Sequence, residues 1–286
     1  MKDWYTPKQV SLAIGVSESS IKRWCDKGSI CTQYTSGGHR RISTSGLLTF
    51  LRGSRHALAN PTAIGLPERL LIMEMPREEL LTLIVKSMVG GTEETMRQIA
   101  IELFLIENNI AKICDDYIAP AFREVGRLWE CSDKEVCQER LACKMSQRIL
   151  NELRALISVP SAEAPLAIGA SPQGDLYNLP SMMVELALRD CGWKSTSMGE
   201  NVPLASLAAA IQTYSPKIFW LCVSHLESKE RFIAEFTHMH NQFRQSVTFI
   251  IIGNALTEDV RARLPRFIYC RNLCQLTQYV GSFGTD

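Results

Sequence analysis

The sequence predicts a multidomain protein of α and α/β type. An N-terminal winged helix-turn-helix is followed by a four-helix bundle and a C-terminal five-stranded, parallel, doubly wound domain. Three observations predict this. Two short helix patterns around a Gly turn open the chain and run into a basic Gly-Gly hairpin. Residues 78–157 then repeat apolar side chains three and four apart. From about residue 164, short apolar runs alternate with helical stretches. The expected division is a head at 1–56, a linker at 57–77, a bundle at 78–160 and the α/β domain at 161–286.

The composition fits that plan. The chain has 286 residues, a net charge of +1, 46% hydrophobic and 21% charged residues, which excludes collagen-like, coiled-coil and wholly disordered proteins. Apolar runs such as Val247–Ile252 fall far short of the about 18 residues of a membrane span. Met1–Lys8 is polar and has no apolar signal segment, so a soluble, cytoplasmic protein is expected. The ten cysteines are scattered without zinc-site spacing; they read as reduced, small apolar side chains, and no metal is expected.

Charge is unevenly spread. Residues 1–56 hold nine Lys/Arg and three acids, whereas the remainder holds 22 bases and 27 acids. A basic head on an acidic body is the footprint of nucleic-acid binding joined to another task. Within the head, Thr6 caps a helix over Pro7–Ile14, with Pro7 at its first turn and Gln9 closing a capping box. Val10, Ala13 and Ile14 share its inner face. Gly15 makes the turn, and Ser17 caps a second helix over Glu18–Lys27 that buries Ile21 and Trp24 and ends at Gly28. That helix offers Ser19, Ser20, Lys22 and Arg23 to a major groove. The hairpin within Ile30–Ile42 carries Tyr34 and places His39, Arg40 and Arg41 on or beside its tip, where cations reach phosphates. A helix over Ser45–Arg52 closes the head with Leu47, Leu48, Phe50 and Leu51. Pro61, Pro67 and Pro76 mark Gly53–Arg77 as linker.

In the bundle, Leu80, Leu83, Ile84 and Met88, then Leu141, Met145, Ile149 and Leu153, follow the amphipathic-helix period. Gly90-Gly91 and Pro120 are interruptions, and four helices result. Strands follow at Leu166–Ala170, Trp193–Met198, Ile218–Val223, Phe249–Ile252 and Phe267–Cys270. Helices lie between them at Met182–Leu188, Leu204–Tyr214, Ser228–Phe243 and Thr257–Leu264. Such alternation gives a parallel sheet covered on both faces, with ligands beyond the carboxyl ends of the strands. The first loop there is Ser171–Pro180.

Two resemblances join these readings. Thr6-Pro7, Gly15-Val16-Ser17, Ile21-Lys22-Arg23-Trp24 and Gly37-Gly38-His39-Arg40-Arg41 resemble the winged helix-turn-helix of MerR-family transcription regulators, which implies a dimer on a double-stranded operator. The succession of head, bundle and α/β domain is similar to the cobalamin-dependent photoreceptor repressors of carotenoid genes, whose last domain is flavodoxin-like. In that family an Asp-x-His-x-x-Gly loop supplies the lower cobalt ligand; the matching positions are Asp175, Tyr177 and Pro180. The family's bundle presents a Trp and, ten residues on, Glu-His; here stand Trp129, Glu139 and Arg140. Its fourth strand ends in Gly-Gly, where the nucleotide tail packs on bare backbone; here it ends in Gly253-Asn254.

The departures have chemical weight. Neutral imidazole donates a lone pair to cobalt readily, whereas a phenol must first lose a proton of pKa near 10. Pro180 stiffens the loop, Asn254 adds bulk, and Arg140 adds a cation. The sequence therefore reads as a regulator, a repressor, that keeps the sensor fold without its usual ligand and uses its body for self-association or a protein regulator. A true cobalamin sensor with unusual ligation is the alternative. An enzyme is not expected, although an accessory role in cobalamin-linked catalysis is a third reading and a redox sensor a fourth. Cys131, Cys137 and Cys143, at intervals of six on a helix, do not share a face. Tyr177 as a haem ligand and His225 beyond the third strand complete the candidates.

Overall fold

A computed structural model describes every residue except 1–2, 55, 57, 67–71, 73–74, 91, 108, 130–135 and 285–286, with backbone alone at 128–129, 136–139 and 284. The chain forms two compact units, Met1–Ser158 and Val159–Asp286.

The first unit begins with strand β1 (Trp4–Tyr5) and helix α1 (Pro7–Ile14). The capping box is present: Gln9 N–H donates to the Thr6 hydroxyl at 3.2 Å, and Thr6 N–H donates to Gln9 Oε1 at 2.9 Å. Gly15 has φ +78°, and a side chain there would come within 2.9 Å of Ala59 Cβ. Ser17 caps α2 (Glu18–Asp26), one residue shorter than expected. Val10, Ala13, Ile14 and Ile21 are buried as the spacing predicts. Trp24 departs from it: the inward repeat runs from Ile21 to Cys25, four residues on. Trp24 is left half-buried, its ring 5.0 Å from those of Phe50 and His56. Phe50 likewise leaves the core to Leu47, Leu48 and Leu51 on α3 (Thr44–Ser54).

The wing consists of β2 (Thr32–Tyr34) and β3 (Arg40–Ser43), antiparallel, with Tyr34 opposite Arg40. Gly38, at φ +73°, closes the turn by donating its N–H to Thr35 O at 2.8 Å. β1 pairs with the other side of β3, a third strand that two residues of sequence do not announce. Part of the expected linker also folds. Pro61–Ile64 is a 3₁₀ turn, Ile64 and Leu66 are buried, and the buried Tyr5 hydroxyl donates to Ile64 O at 2.7 Å. A row of prolines stops an α-helix but not a short turn whose apolar side chains have a face to cover.

The bundle is α4 (Arg77–Gly90), α5 (Glu93–Ile106), α6 (Ile110–Ile113), α7 (Ala119–Trp129) and α8 (Val136–Leu156). A wide π turn, Cys114–Ile118, joins α6 to α7 as one rod, so the helical layers number four. Pro120 does not break the rod, and the wide turn is the reason. Ala119 N–H reaches back five residues to Cys114 O, which makes room for a ring that would clash in a regular helix. Pro120 leaves Asp116 O without its helical donor, and Arg77 Nη2 donates to it at 3.0 Å. α3 belongs to the head and the bundle at once. Arg52 donates from Nε to Glu107 O at 2.9 Å, and its guanidinium lies 4.5 Å from the centre of the Phe104 ring.

The second unit is a five-stranded parallel sheet: β4 (Leu166–Ala170), β5 (Lys194–Ser197), β6 (Ile218–Cys222), β7 (Thr248–Ile252) and β8 (Ile268–Cys270), in the order β5-β4-β6-β7-β8. Its helices are α9 (Leu179–Asp190), α10 (Leu204–Tyr214), α11 (Lys229–Phe243), α12 (Glu258–Arg263) and α13 (Leu273–Gly281), the last not foreseen. The strands are the expected ones within a residue or two. Every residue of β6 is buried, as both-sided cover requires. Phe219, Leu221 and Val223 enter one core with Leu207, Phe236 and Ile251. On the opposite face Trp220 is fully buried and lies over Gly169 of the neighbouring strand. A Cβ on Gly169 would fall 2.2–2.4 Å from the indole Cδ2, Cε2 and Cγ.

That contact fixes an expectation. Gly169→Ala forces the indole or the strand to shift, and overpacking of this kind costs about 1–3 kcal/mol. Thermal unfolding of the full chain is expected to show the loss, and adding Trp220→Leu to Gly169→Ala is expected to return part of it.

Candidate nucleic-acid interface and ligand loop

The head presents its candidate DNA-reading groups from two elements. On α2, Ser19 is exposed and Ser20 half-buried. The Ser17 hydroxyl, which caps the helix, lies 2.8 Å from Ser19 Oγ and 2.9 Å from Ser20 Oγ. The exposed Arg23 guanidinium has no hydrogen-bond or ion-pair partner among the described residues. Lys22 is bonded to Glu18 one turn back at 2.8 Å, both side chains being well exposed. Such a pair contributes only about 0.3–0.5 kcal/mol, so Lys22 is readily released to a phosphate. On the wing, Tyr34 and His39 are exposed, and Arg41 spends one donor on Arg40 O at 3.2 Å. Arg40 stands apart. Its guanidinium is turned inward, donating to Lys22 O and to Asp26 Oδ1, each at 2.7 Å. Sequence reasoning did not single out Asp26. An acid in the last turn of a helix, against the helix dipole, is the signal that a cation answers it.

The loop after β4, the candidate ligand loop of the second unit, is organised around Asp175, which is completely buried. Its Oδ1 accepts from Tyr177 N–H at 3.0 Å, and its Oδ2 accepts from Ser224 N–H at 2.5 Å and His225 N–H at 3.1 Å. One carboxylate thus joins the loops after β4 and β6. Burial raises its pKa above the ordinary carboxylate value, opposed by the three backbone donors. Tyr177 is half exposed, beside the exposed Leu176. His225 enters through its backbone, its side chain being exposed. Gly253, at φ +138°, lies against the chain itself: a Cβ there would meet Val223 O at 2.1 Å. The turn lets Ala255 N–H reach Val223 O at 3.1 Å.

Of the bundle residues singled out by the sequence, Trp129 ends α7 and Glu139 lies in α8, their side chains outside the described atoms; Arg140 is exposed. Cys131 lies outside the described residues. Burial raises the thiol pKa of Cys270 to about 11 and that of Cys222 further, which makes both poor nucleophiles. Among the described residues, no group of three or more His, Cys, Asp or Glu could hold a metal ion, and no helix is long and apolar enough to cross a membrane. Sequence reasoning also missed Trp220 and Gly169. A glycine inside a strand was the available signal, since it marks close approach of another group.

The class defined by these parts is a helix-turn-helix protein whose head is followed by a helical layer and a parallel α/β sheet. Comparison with known proteins sharpens it. Residues 4–55 match the family described as helix-turn-helix domain, and residues 80–154 match the family described as B12 binding domain. The HTH-type transcriptional repressor CarA of Myxococcus xanthus is 27% identical over 125 residues, 43% of this chain and 41% of the repressor. The match therefore spans about two fifths of that relative. Among solved structures, the monomethylamine corrinoid protein of Methanosarcina barkeri superposes with a TM-score of 0.58 at 16% identity, covering 72% of this chain and 96% of that one. This is a likeness of fold. Together these similarities set a helix-turn-helix domain and a helical region of the B12-binding kind in one chain, which over two fifths of its length resembles a transcriptional repressor.

Asp175→Asn keeps the size of the side chain but turns an NH₂ toward a backbone N–H. A buried donor without an acceptor costs about 1–3 kcal/mol, so the variant is expected to lower the unfolding midpoint of the full chain and to speed amide exchange at Tyr177 and Ser224 together.

Proposed function

We propose that this chain is a DNA-binding transcription regulator, a repressor, that works as a dimer or tetramer on a double-stranded operator. The observation that carries the reading is the head: a capped recognition helix with Ser19 and Arg23 exposed, beside a wing that exposes His39. α2 enters the major groove, where Ser19, Ser20 and Arg23 meet base edges, while Lys22, Tyr34 and Arg41 hold the phosphate backbone. A head of this size reads a half-site, which favours a two-fold assembly. The CarA relative supports repression rather than catalysis.

The body is the sensor fold with a changed ligand set. Position 177 offers a half-exposed phenol rather than an imidazole. The place a Cβ would take at Gly253 is filled by the Val223 backbone, and that at Gly169 by the Trp220 indole. These residues do not fit cobalamin held by a lower histidine with its tail against the sheet. The body then serves self-association or receives a protein regulator. The match of residues 80–154 to the B12 binding family favours one second reading, a cobalamin sensor that holds the corrinoid mainly from the bundle.

An absorption spectrum separates the two. After adenosylcobalamin is added in the dark and the protein desalted, loss of the corrinoid bands supports the degenerate sensor. Bands that co-elute at about one per chain establish the second reading. For DNA, Arg41→Ala is expected to weaken binding to unrelated duplexes alike and to reduce the salt slope by about 1. Arg23→Ala is expected to relax the choice of base at one position instead, by about 1–3 kcal/mol, as read by fluorescence anisotropy on duplexes varied base by base.

A further inference from the structure

The wing contains two adjacent arginines in very different surroundings. Arg41 retains free donors. The Arg40 side chain is only 18% exposed and has three partners: Lys22 O, Asp26 Oδ1 and the Tyr34 ring, whose centre is 5.4 Å from the guanidinium carbon. Two of these partners belong to the last turns of α2, and the third lies opposite Arg40 on the wing. Asp26, itself 60% exposed, stands four residues after Lys22 and therefore on the same face of the helix. A free acid on that face would repel DNA, and at the C-terminal end of α2 it opposes the helix dipole.

We propose that Arg40 is a positioning residue, not a phosphate contact: by bridging Lys22 O and Asp26, it locks the wing to the recognition helix and sets the spacing at which both meet the duplex. The guanidinium fork suits this role because it can donate in parallel to a carbonyl and a carboxylate, which an ammonium group cannot do with the same geometry. Its charge is spent inside the head, so it releases few counterions on binding. Asp26 then favours DNA binding although its charge opposes it. The proposal rests on the reading of the head as a DNA-binding module and goes beyond it in assigning the pair.

The test measures anisotropy of a labelled 40-base-pair duplex of mixed sequence with the full-length chain, across a salt series. Wild type, Asp26→Ala, Arg40→Ala, Arg40→Lys, the double alanine variant and Arg41→Ala are compared, with circular dichroism confirming a folded head in each. Electrostatics alone would make Asp26→Ala bind more tightly. The clamp makes it bind more weakly, roughly fivefold, the scale of a 1 kcal/mol interaction. Arg40→Ala is expected to weaken binding similarly with the salt slope unchanged. Arg40→Lys is expected to resemble Arg40→Ala, and the double variant to be no worse than either single one. In the free chain, amide exchange at Gln33 and Ile42 is expected to quicken in both single alanine variants. Tighter binding by Asp26→Ala, or full affinity and slope in Arg40→Lys, overturns the clamp while leaving the DNA-binding reading intact. Failure of wild type to bind the duplex in a salt-dependent manner overturns both.

Discussion

The carboxylate of Asp175 is the joint of the second unit. The carboxyl end of a parallel sheet leaves loop N–H groups that no strand satisfies, and burial makes such groups costly unless an acceptor reaches them. Asp175 accepts three, from Tyr177 on its own loop and from Ser224 and His225 beyond the third strand of the sheet. The loop after β4 and the loop after β6 therefore stand or fall together. The surface they form is held from below by backbone bonds that do not involve the Tyr177 phenol. The shape of the loop rests on the Asp175 carboxylate and three backbone donors, not on the side chain at position 177.

The same separation appears between the strands. Gly169 and Gly253 lack side chains, and bare backbone of that kind is easily taken for room left for a ligand. Here the place of the missing Cβ is taken by the chain, by the Trp220 indole at Gly169 and by the Val223 carbonyl at Gly253. Trp220 is also anchored, its Nε1–H donating to Ser181 Oγ at 3.2 Å, and that hydroxyl lies 2.8 Å from Ser197 Oγ. The face under α9 is thus finished by internal packing and hydrogen bonding. In the first unit the tie runs between elements of different roles. α3 closes the head and packs on the bundle through Arg52, so head and bundle share one helix rather than a flexible joint.

Much of this was legible in order along the chain. The capped helices about Gly15, the wing at Gly37-Gly38 and the five apolar runs of the sheet each rest on local rules: a side chain that caps, a residue tolerant of positive φ, an alternation of period. The errors fall where two local rules allowed two outcomes. Trp24 and Phe50 lie at the margin of their helical faces, and only the neighbouring helix decides which flank is covered. Pro120 forbids a regular turn, yet a wider turn with Arg77 as outside donor keeps the rod continuous. The prolines between residues 53 and 77 gave no sign that Ile64 and Leu66 would be buried, or that the turn Pro61–Ile64 would pack on α1.

The candidate sites divide in the same way. The sequence by itself determined the kinds of group available: a basic helix and wing, an Asp in the loop after the first strand of the sheet, and a Tyr and a Pro where the resemblance leads one to look for His and Gly. These follow from residue identity and spacing, which are local. Only the tertiary structure decided what each group is free to do. Arg40 and Arg41 are neighbours of the same charge, but the first faces the end of α2 and is neutralised there, while the second keeps donors for a partner. Gly169 is one residue of an apolar run in the sequence, and only the strand beside it brings Trp220 across. Availability depends on what a distant part of the chain places within a few ångströms, and that distance exists only after folding.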